Sequence, residues 1–205
     1  RDVARYPRSL AEAKALLDAA DWKDHDGDGV RDKGDVSLTF TLTTSDDPGR
    51  YAAGVQVVED LRAIGMRVEL RAMPLAEVVD TVARRRAFDA LLIGISRGGD
   101  PDPYEFLHSS RARDPGHNFS GYSTLPMDRS LEAARRTFDH AKRRELYAPV
   151  FQQIATEVPV VFLYFSDYLY ALNRSVQGIK IAAIDDPTKR LWNIEDWYVR
   201  TAPRR

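Results

Sequence analysis

FDALLIGISRGGDPDPYEFLHSS, residues 88–110, decides the fold. It opens with Ala90-Leu91-Leu92-Ile93-Gly94-Ile95, a run too short to span a membrane and polar on neither face. Such a run reads as a strand buried on both sides of a mostly parallel sheet. It breaks into Ser96-Arg97-Gly98-Gly99-Asp100-Pro101-Asp102-Pro103, where two glycines free the backbone and two prolines forbid ladder donation and helix interior. Open α/β sheets place ligands at the carboxyl ends of their strands, so a stiff charged loop here is a candidate site. The plainer reading is a strand-to-helix connection, with Asp102 as N-cap and Pro103 at the first helical position.

Working outward toward the amino end, Phe88 to Ile95 reads as the third and central strand of a β-α-β-α-β series. The second strand covers residues 66–73, and Pro74 opens a helix carrying Leu75, Val78, Val79 and Val82 up to Arg84-Arg85-Arg86, an exposed helix end. The first strand, residues 37–43, alternates Leu38, Phe40 and Leu42 against serine and threonine. Asp47-Pro48 then begins a helix with Tyr51, Val55, Val58 and Leu61 on its buried stripe, closed by Gly65. This order implies right-handed crossovers and a parallel sheet. Farther upstream, Ser9 caps a helix to about Ala20, with a stripe of Leu10, Ala13, Leu16, Leu17 and Ala20.

Toward the carboxyl end, residues 104–109 form a short helix and residues 111–125 an irregular stretch. Two helices follow, one marked by Met127, Leu131, Ala134 and Phe138, the other by Leu146, Val150, Phe151, Ile154 and Val158. Residues 160–165 read as a buried strand, 169–172 and 176–181 as further strands, and 191–199 as an aromatic tail.

The 205 residues carry 30 Lys plus Arg against 31 Asp plus Glu, so no global field attracts nucleic acid or an anionic membrane. Cysteine is absent, which excludes disulfides, thiolate metal sites and a cysteine nucleophile. No stretch approaches the roughly 20 apolar residues of a transmembrane helix. The chain starts at Arg1 with no export signal and is read as a piece of something longer.

Residues 24–35, DHDGDGVRDKGD, place carboxylates at positions one, three, five, nine and twelve of a calcium loop. The candidate ligands are Asp24, Asp26, Asp28, Asp32, Asp35 and the Val30 carbonyl, for a structural Ca2+; the other reading is a solvated acidic turn. Arg97 could hold a carboxylate or phosphate in bidentate fashion, or pair with Asp100 or Asp102. The free N–H groups of the helix starting at Asp47-Pro48 favour anions on the same edge. The candidate ligand-binding set is Arg97, Gly98, Gly99, Asp100, Ser45, Asn118 and Tyr122. No catalytic set accompanies the histidines His25, His108, His117 and His140. His108 with Asp100 and Ser109 could be drawn as a hydrolytic triad, but capping the short helix suits it better.

Several segments, in order, resemble the carboxyl-terminal lobe of the family 5 extracellular solute-binding proteins, the peptide receptors of ABC importers. They are AKALLDAADWKDHDGDGVRDKGDVSLTFTL, VVEDLRAIGMRVEL, FDALLIGISRGGDPDPYEFLHSS, NFSGYSTLPMDRSLEAAR, RRELYAPVFQQIATEVPVVFLYF and VQGIKI. The resemblance implies an α/β lobe of a type II periplasmic-binding-protein-like clamshell, a mostly parallel sheet flanked by helices. It implies residues 1–183 as the ligand-binding lobe and 184–205 as a tail returning toward an amino-terminal lobe not contained in this sequence. It also implies delivery of a peptide-like or anionic solute to a membrane permease, outside the cytoplasm, by a monomer with no required cofactor and no catalysis. Peptide binders of the family carry a Trp and an Asp just before the DP; here Ile95 stands at the Trp and Arg97 near the Asp. Two other readings of the scaffold are a calcium-stabilised sensor or interaction domain and a hydrolase using His108.

Overall fold

The computed structural model describes residues 4–96, 100, 102–167, 169–180 and 187–200. Arg97, Gly98, Gly99 and Pro101 of the expected ligand loop lie outside the described residues, as do residues 184–186 and 201–205 of the expected tail. The chain divides into two compact units, residues 1–94 with 103–160, and residues 95–102 with 161–205.

The first unit is built on a parallel sheet. Strand β3 (Thr39–Ser45) pairs with β4 (Arg67–Met73) through seven residues on one side. On its other side it pairs with the short β5 (Ala90–Leu92) through three. The order is therefore β4-β3-β5, and the expected β-α-β-α-β series holds. The centre, however, is β3 and not the 88–95 run, whose strand is short, half-buried and at an edge of this sheet. Central placement explains why Thr43, Thr44 and Ser45 are buried although the alternation put threonine on an open face. Thr44 can be buried because its Oγ1 donates to the Leu92 carbonyl at 3.0 Å.

The crossover between β3 and β4 is α2 (Pro48–Arg62). Asp47 caps it, accepting the Arg50 N–H at 2.9 Å, and Gly65 at φ 90° ends the turn beyond it. Gly54 and Val58 face the sheet with Leu42 and Val68, while Tyr51, expected on that stripe, is exposed. After β4 comes one turn of helix, α3 (Leu75–Glu77), continued as a π-helix over Val78–Ala83 that buries Val78, Val82 and Ala83.

Ahead of the sheet, α1 (Leu10–Ala19) is capped by Ser9 as expected, yet it has no buried residue and Leu16 is 70% exposed. A small hairpin follows, β1 (Asp32–Lys33) with β2 (Val36–Ser37).

The helical part of the first unit contains α4 (Tyr104–Leu107), α5 (Leu125–Arg135) and α6 (His140–Glu157). Leu107, Met127, Leu131, Tyr147, Val150 and Ile154 form its core. The cap of α4 is Pro103 and not Asp102, and no side chain caps it. Phe138 is 97% exposed: α5 stops at Arg135 and Asp139 starts α6, so Phe138 falls on the connection between stripes.

Arg86 is not the solvated helix end that its run suggested. At φ 55° it turns back, and its guanidinium donates to the carbonyls of Ala83, Ala112 and Gly116, joining the sheet part to the helical part.

In the second unit, β6 (Val176–Gln177) pairs antiparallel with β7 (Tyr198–Val199) around buried Asn193. The strands expected at 160–165 and 169–172 do not form among the described residues. Phe162, Phe165 and Leu169 are 72%, 89% and 90% exposed. An apolar run becomes a strand only where an edge receives its N–H and C=O groups, and no ladder meets it here.

Candidate functional site

The carboxyl edge of the sheet is where α2 begins. Ser45, the last residue of β3, is 1% exposed, and its hydroxyl receives a short hydrogen bond from Arg50 Nη1. Arg50 is the third residue of α2, so the Asp47 cap and Pro48 start the helix just where the strand ends and turn this side chain over the edge. Gly94, two residues past β5, lies beside it: a Cβ there would stand 3.4 Å from Arg50 Nη2, an ordinary contact. Sequence reasoning placed the helix end and Ser45 at this edge but missed Arg50; its position three residues after an N-cap was the available signal. Asp100, in the second unit, accepts the Asp102 N–H at 3.2 Å.

The irregular loop is organised by Asn118. It is fully buried, donates to the carbonyls of Tyr122 at 2.9 Å and His108 at 3.3 Å, and accepts from Ser120 Oγ at 3.0 Å. Its amide therefore builds the loop rather than facing a ligand. The Tyr122 hydroxyl donates to Glu157 and accepts from Gln153 Nε2 at 2.8 Å. Loss of solvent, and then the Glu157 carboxylate, raise the Tyr122 phenol above its ordinary range.

His108 caps, as expected. It ends α4, and its Nδ1 accepts the Ser110 N–H at 3.1 Å while lying 2.8 Å from Ser110 Oγ. The ring stacks on Tyr104 with centroids 4.2 Å apart, and Nε2 faces Glu132 at 3.4 Å. Ser109, the other member of the imagined triad, gives its N–H to Asp128 at 3.0 Å.

In the acidic loop, Asp24, Asp26 and Asp28 each bring one carboxylate oxygen within 4.8 Å of the others, all exposed. Asp24 accepts the N–H groups of Gly27 (2.8 Å) and Gly29 (3.0 Å), Asp26 that of Asp28 (3.1 Å), and Asp28 that of Val30 (2.8 Å). A carboxylate oxygen has a second lone pair, so these three groups can still serve a hard cation. Asp32 and Asp35 are outside the trio. Asp32 is taken by the His25 ring at 2.7 Å, and Asp35 sits in the turn between β1 and β2. Val30 itself is buried. Nothing in the spacing pointed to Arg67, whose Nη2 lies 2.9 Å from Asp28 Oδ2. The Val30 N–H, and then Arg67, hold the Asp28 carboxyl below its ordinary range.

A parallel α/β lobe with a polar carboxyl edge has the architecture of periplasmic binding proteins. The model of the bacterial extracellular solute-binding proteins, family 5 (middle region), matches residues 2–118. The chain belongs to that family. It is 30% identical over 200 residues to the oligopeptide-binding protein AppA of Bacillus subtilis, covering 97% of this chain and 36% of that protein. Protein XP55 of Streptomyces lividans is 32% identical over 176 residues, 84% of this chain and 32% of its own length. The chain thus spans about a third of the curated relatives it matches. The structure of B. subtilis AppA with a nonapeptide superposes with TM-score 0.78 at 29% identity, over 98% of this chain and 39% of that one. NikZ of Campylobacter jejuni, solved with Ni(L-His), shares the fold at TM-score 0.75 and 23% identity, over 96% and 40%.

Proposed function

We propose that this chain is the ligand-binding lobe of an ABC-importer solute receptor, binding a peptide-like or anionic small solute against a second lobe. On this reading residues 1–183 form the lobe, and 184–205 return toward the amino-terminal lobe. The receptor works as a monomer outside the cytoplasmic membrane and hands its solute to a permease without chemistry. Among the described residues no helix is long and apolar enough to cross a membrane. The observation that carries the reading is the likeness to AppA along nearly the whole chain, with the polar edge of Ser45, Arg50 and Gly94 at the carboxyl end of the same sheet. Ser45 and the 97–100 loop are the proposed ligand contacts, Tyr122 a further one, and Asp24, Asp26 and Asp28 the core of a structural calcium site.

The test is native mass spectrometry of the protein, with both lobes, taken from its own host, followed by calorimetry with peptides of two to nine residues. A retained small solute and micromolar peptide binding are expected. A receptor that carries no solute and ignores peptides, amino acids and sugars alike overturns the proposal.

A further inference from the structure

The connection between α5 and α6 gathers positive charge in a chain that is otherwise close to neutral. Residues 135–144 read RRTFDHAKRR, with Arg135, Arg136, Lys142, Arg143 and Arg144 against the single acid Asp139, while the whole chain carries a net charge of −1. Asp139 is committed as the cap of α6, accepting the Lys142 N–H at 2.9 Å. Two of the cations lie beside aromatic rings of the helical part. Arg135 is 4.0 Å from the centre of the Tyr104 ring, and Arg143 Nη2 donates to the Tyr147 hydroxyl at 3.2 Å. Arg136 stays 81% exposed with Glu132 4.0 Å away, and Lys142 and Arg144 are exposed as well. Between them, on the connection itself, stands Phe138, 97% exposed.

Local stability does not account for this arrangement. Lys142 and Arg143 fall in the first turn of α6, where the helix dipole favours acids and opposes cations. Cations crowded on two adjoining helix ends repel one another, and a bare aromatic ring in water has no packing to gain. An anionic lipid surface relieves all three. Its phosphates meet mobile Lys and Arg side chains without requiring fixed geometry, and its headgroup region accepts a single ring at its own depth. A folded protein partner fits less well, because a stable protein interface closes around a packed apolar core and one ring on a connection does not offer it. We propose that the α5–α6 connection, through Phe138 with Arg136, Lys142 and Arg144, docks the chain on an anionic lipid surface. Since the chain as a whole is near neutral, the attraction is local, reversible and screened by salt. It goes beyond the receptor reading and does not depend on it, since no solute takes part.

The test is co-sedimentation of the 205-residue chain with vesicles of phosphatidylglycerol and phosphatidylcholine in equal parts, beside vesicles of phosphatidylcholine alone. The chain should sediment with the anionic vesicles only, and should be released as salt rises from about 0.1 M to about 1 M, which shortens the screening length from roughly 10 Å to 3 Å. Lys142→Gln with Arg144→Gln should weaken the binding by roughly tenfold or more, and Phe138→Ser should weaken it severalfold. Arg62→Gln with Arg71→Gln removes the same net charge from exposed positions of the sheet part and should change nothing. An equal loss in that control pair, or equal binding to both kinds of vesicle, overturns the proposal. So does a failure of the unaltered chain to sediment with anionic vesicles at low salt, whatever the variants do. Binding to membranes of the host that is lost once their proteins are digested, with none to lipid alone, would make the partner a protein and overturn it too.

Discussion

The Arg86 guanidinium lies 4.6 Å from the centre of the Phe119 ring while its nitrogens reach the carbonyls of Ala112 and Gly116. One side chain from the end of the π-helix thus fastens the loop that carries Asn118 and Tyr122. Each bond from a guanidinium to a carbonyl is charge-assisted, and removing it also leaves the carbonyls unmatched. Arg86→Ala should cost about 2–4 kcal/mol in urea unfolding. Arg86→Lys should recover only a part, because an ammonium cannot span all three carbonyls. A loss under about 0.5 kcal/mol, the usual size at an uninvolved surface position, would mean that the two parts hold together without it.

Gly116 approaches the same loop from inside. A Cβ there would lie 2.3 Å from the Arg111 carbonyl oxygen and 2.5 Å from its Cα. The obstacle is backbone, so no rotamer change relieves it, and Gly116→Ala should destabilise by about 1–3 kcal/mol as overpacking does. Gly121→Ala is a useful contrast: it has open space around it and a positive φ of 66°, so only backbone strain opposes it. Equal midpoints for Gly116→Ala and the unaltered chain would refute the close approach.

What could be read in advance was what depends on local order. Ser9 and Asp47 marked helix starts, Gly65 marked an end, and the alternation through Phe40 and Leu42 marked a strand. What could not be read was pairing and side-chain direction. Nothing in the 88–95 run says that β3, 48 residues from Leu92 at Thr44, takes the centre of the sheet. A run of apolar residues looks alike as a buried strand and as the open segment at 161–165, since periodicity carries no partner. The calcium-like spacing includes Asp24, Asp26 and Asp28, whose carboxylates stand within 4.8 Å of one another. It could not foresee that His25 would take Asp32, because that contact is set by the β-bridge between Lys23 and Asp32.

The acidic trio should respond to calcium. Three exposed carboxylates within 4.8 Å repel one another, and a divalent ion relieves that while stabilising the folded state by mass action. Millimolar calcium should raise the melting temperature over that in excess chelator, by about 2–4 °C for each kcal/mol of linkage. Arg67→Ala removes a cation 2.9 Å from Asp28 and should tighten calcium severalfold. Identical melting curves with calcium and with chelator would leave a plain turn.

The start of α6 sets a pH dependence. The N–H groups of Lys142 and then Ala141 hold the Asp139 carboxyl below its ordinary range. A depressed carboxyl contributes stability that is present above its unfolded value of about 3.9 and lost as pH falls through the lower folded value. Asp139→Asn keeps an N-cap acceptor but cannot titrate, so its stability should fall less steeply than that of the unaltered chain over the same acid range. Parallel curves below pH 4 would show that the cap contributes nothing to acid sensitivity.

The open apolar segment gives the last prediction. Phe162, Tyr164 and Phe165 are 72%, 55% and 89% exposed, beside Val161 at 67% and Leu169 at 90%. Burying one such aromatic contributes about 1.5–3 kcal/mol, so a run of them left in water is a surface that calls for a cover. If that cover is a second lobe, the 205-residue chain should bind an apolar dye at this segment. Phe162→Ser with Phe165→Ser should remove most of the dye signal. The melting temperature should hardly move, because exposed side chains have little packing to lose. In a protein with both lobes the dye should fail to bind even without the substitutions. The prediction fails if the double variant binds dye as before, or if it melts several degrees lower, which would place these rings in a core of the chain's own.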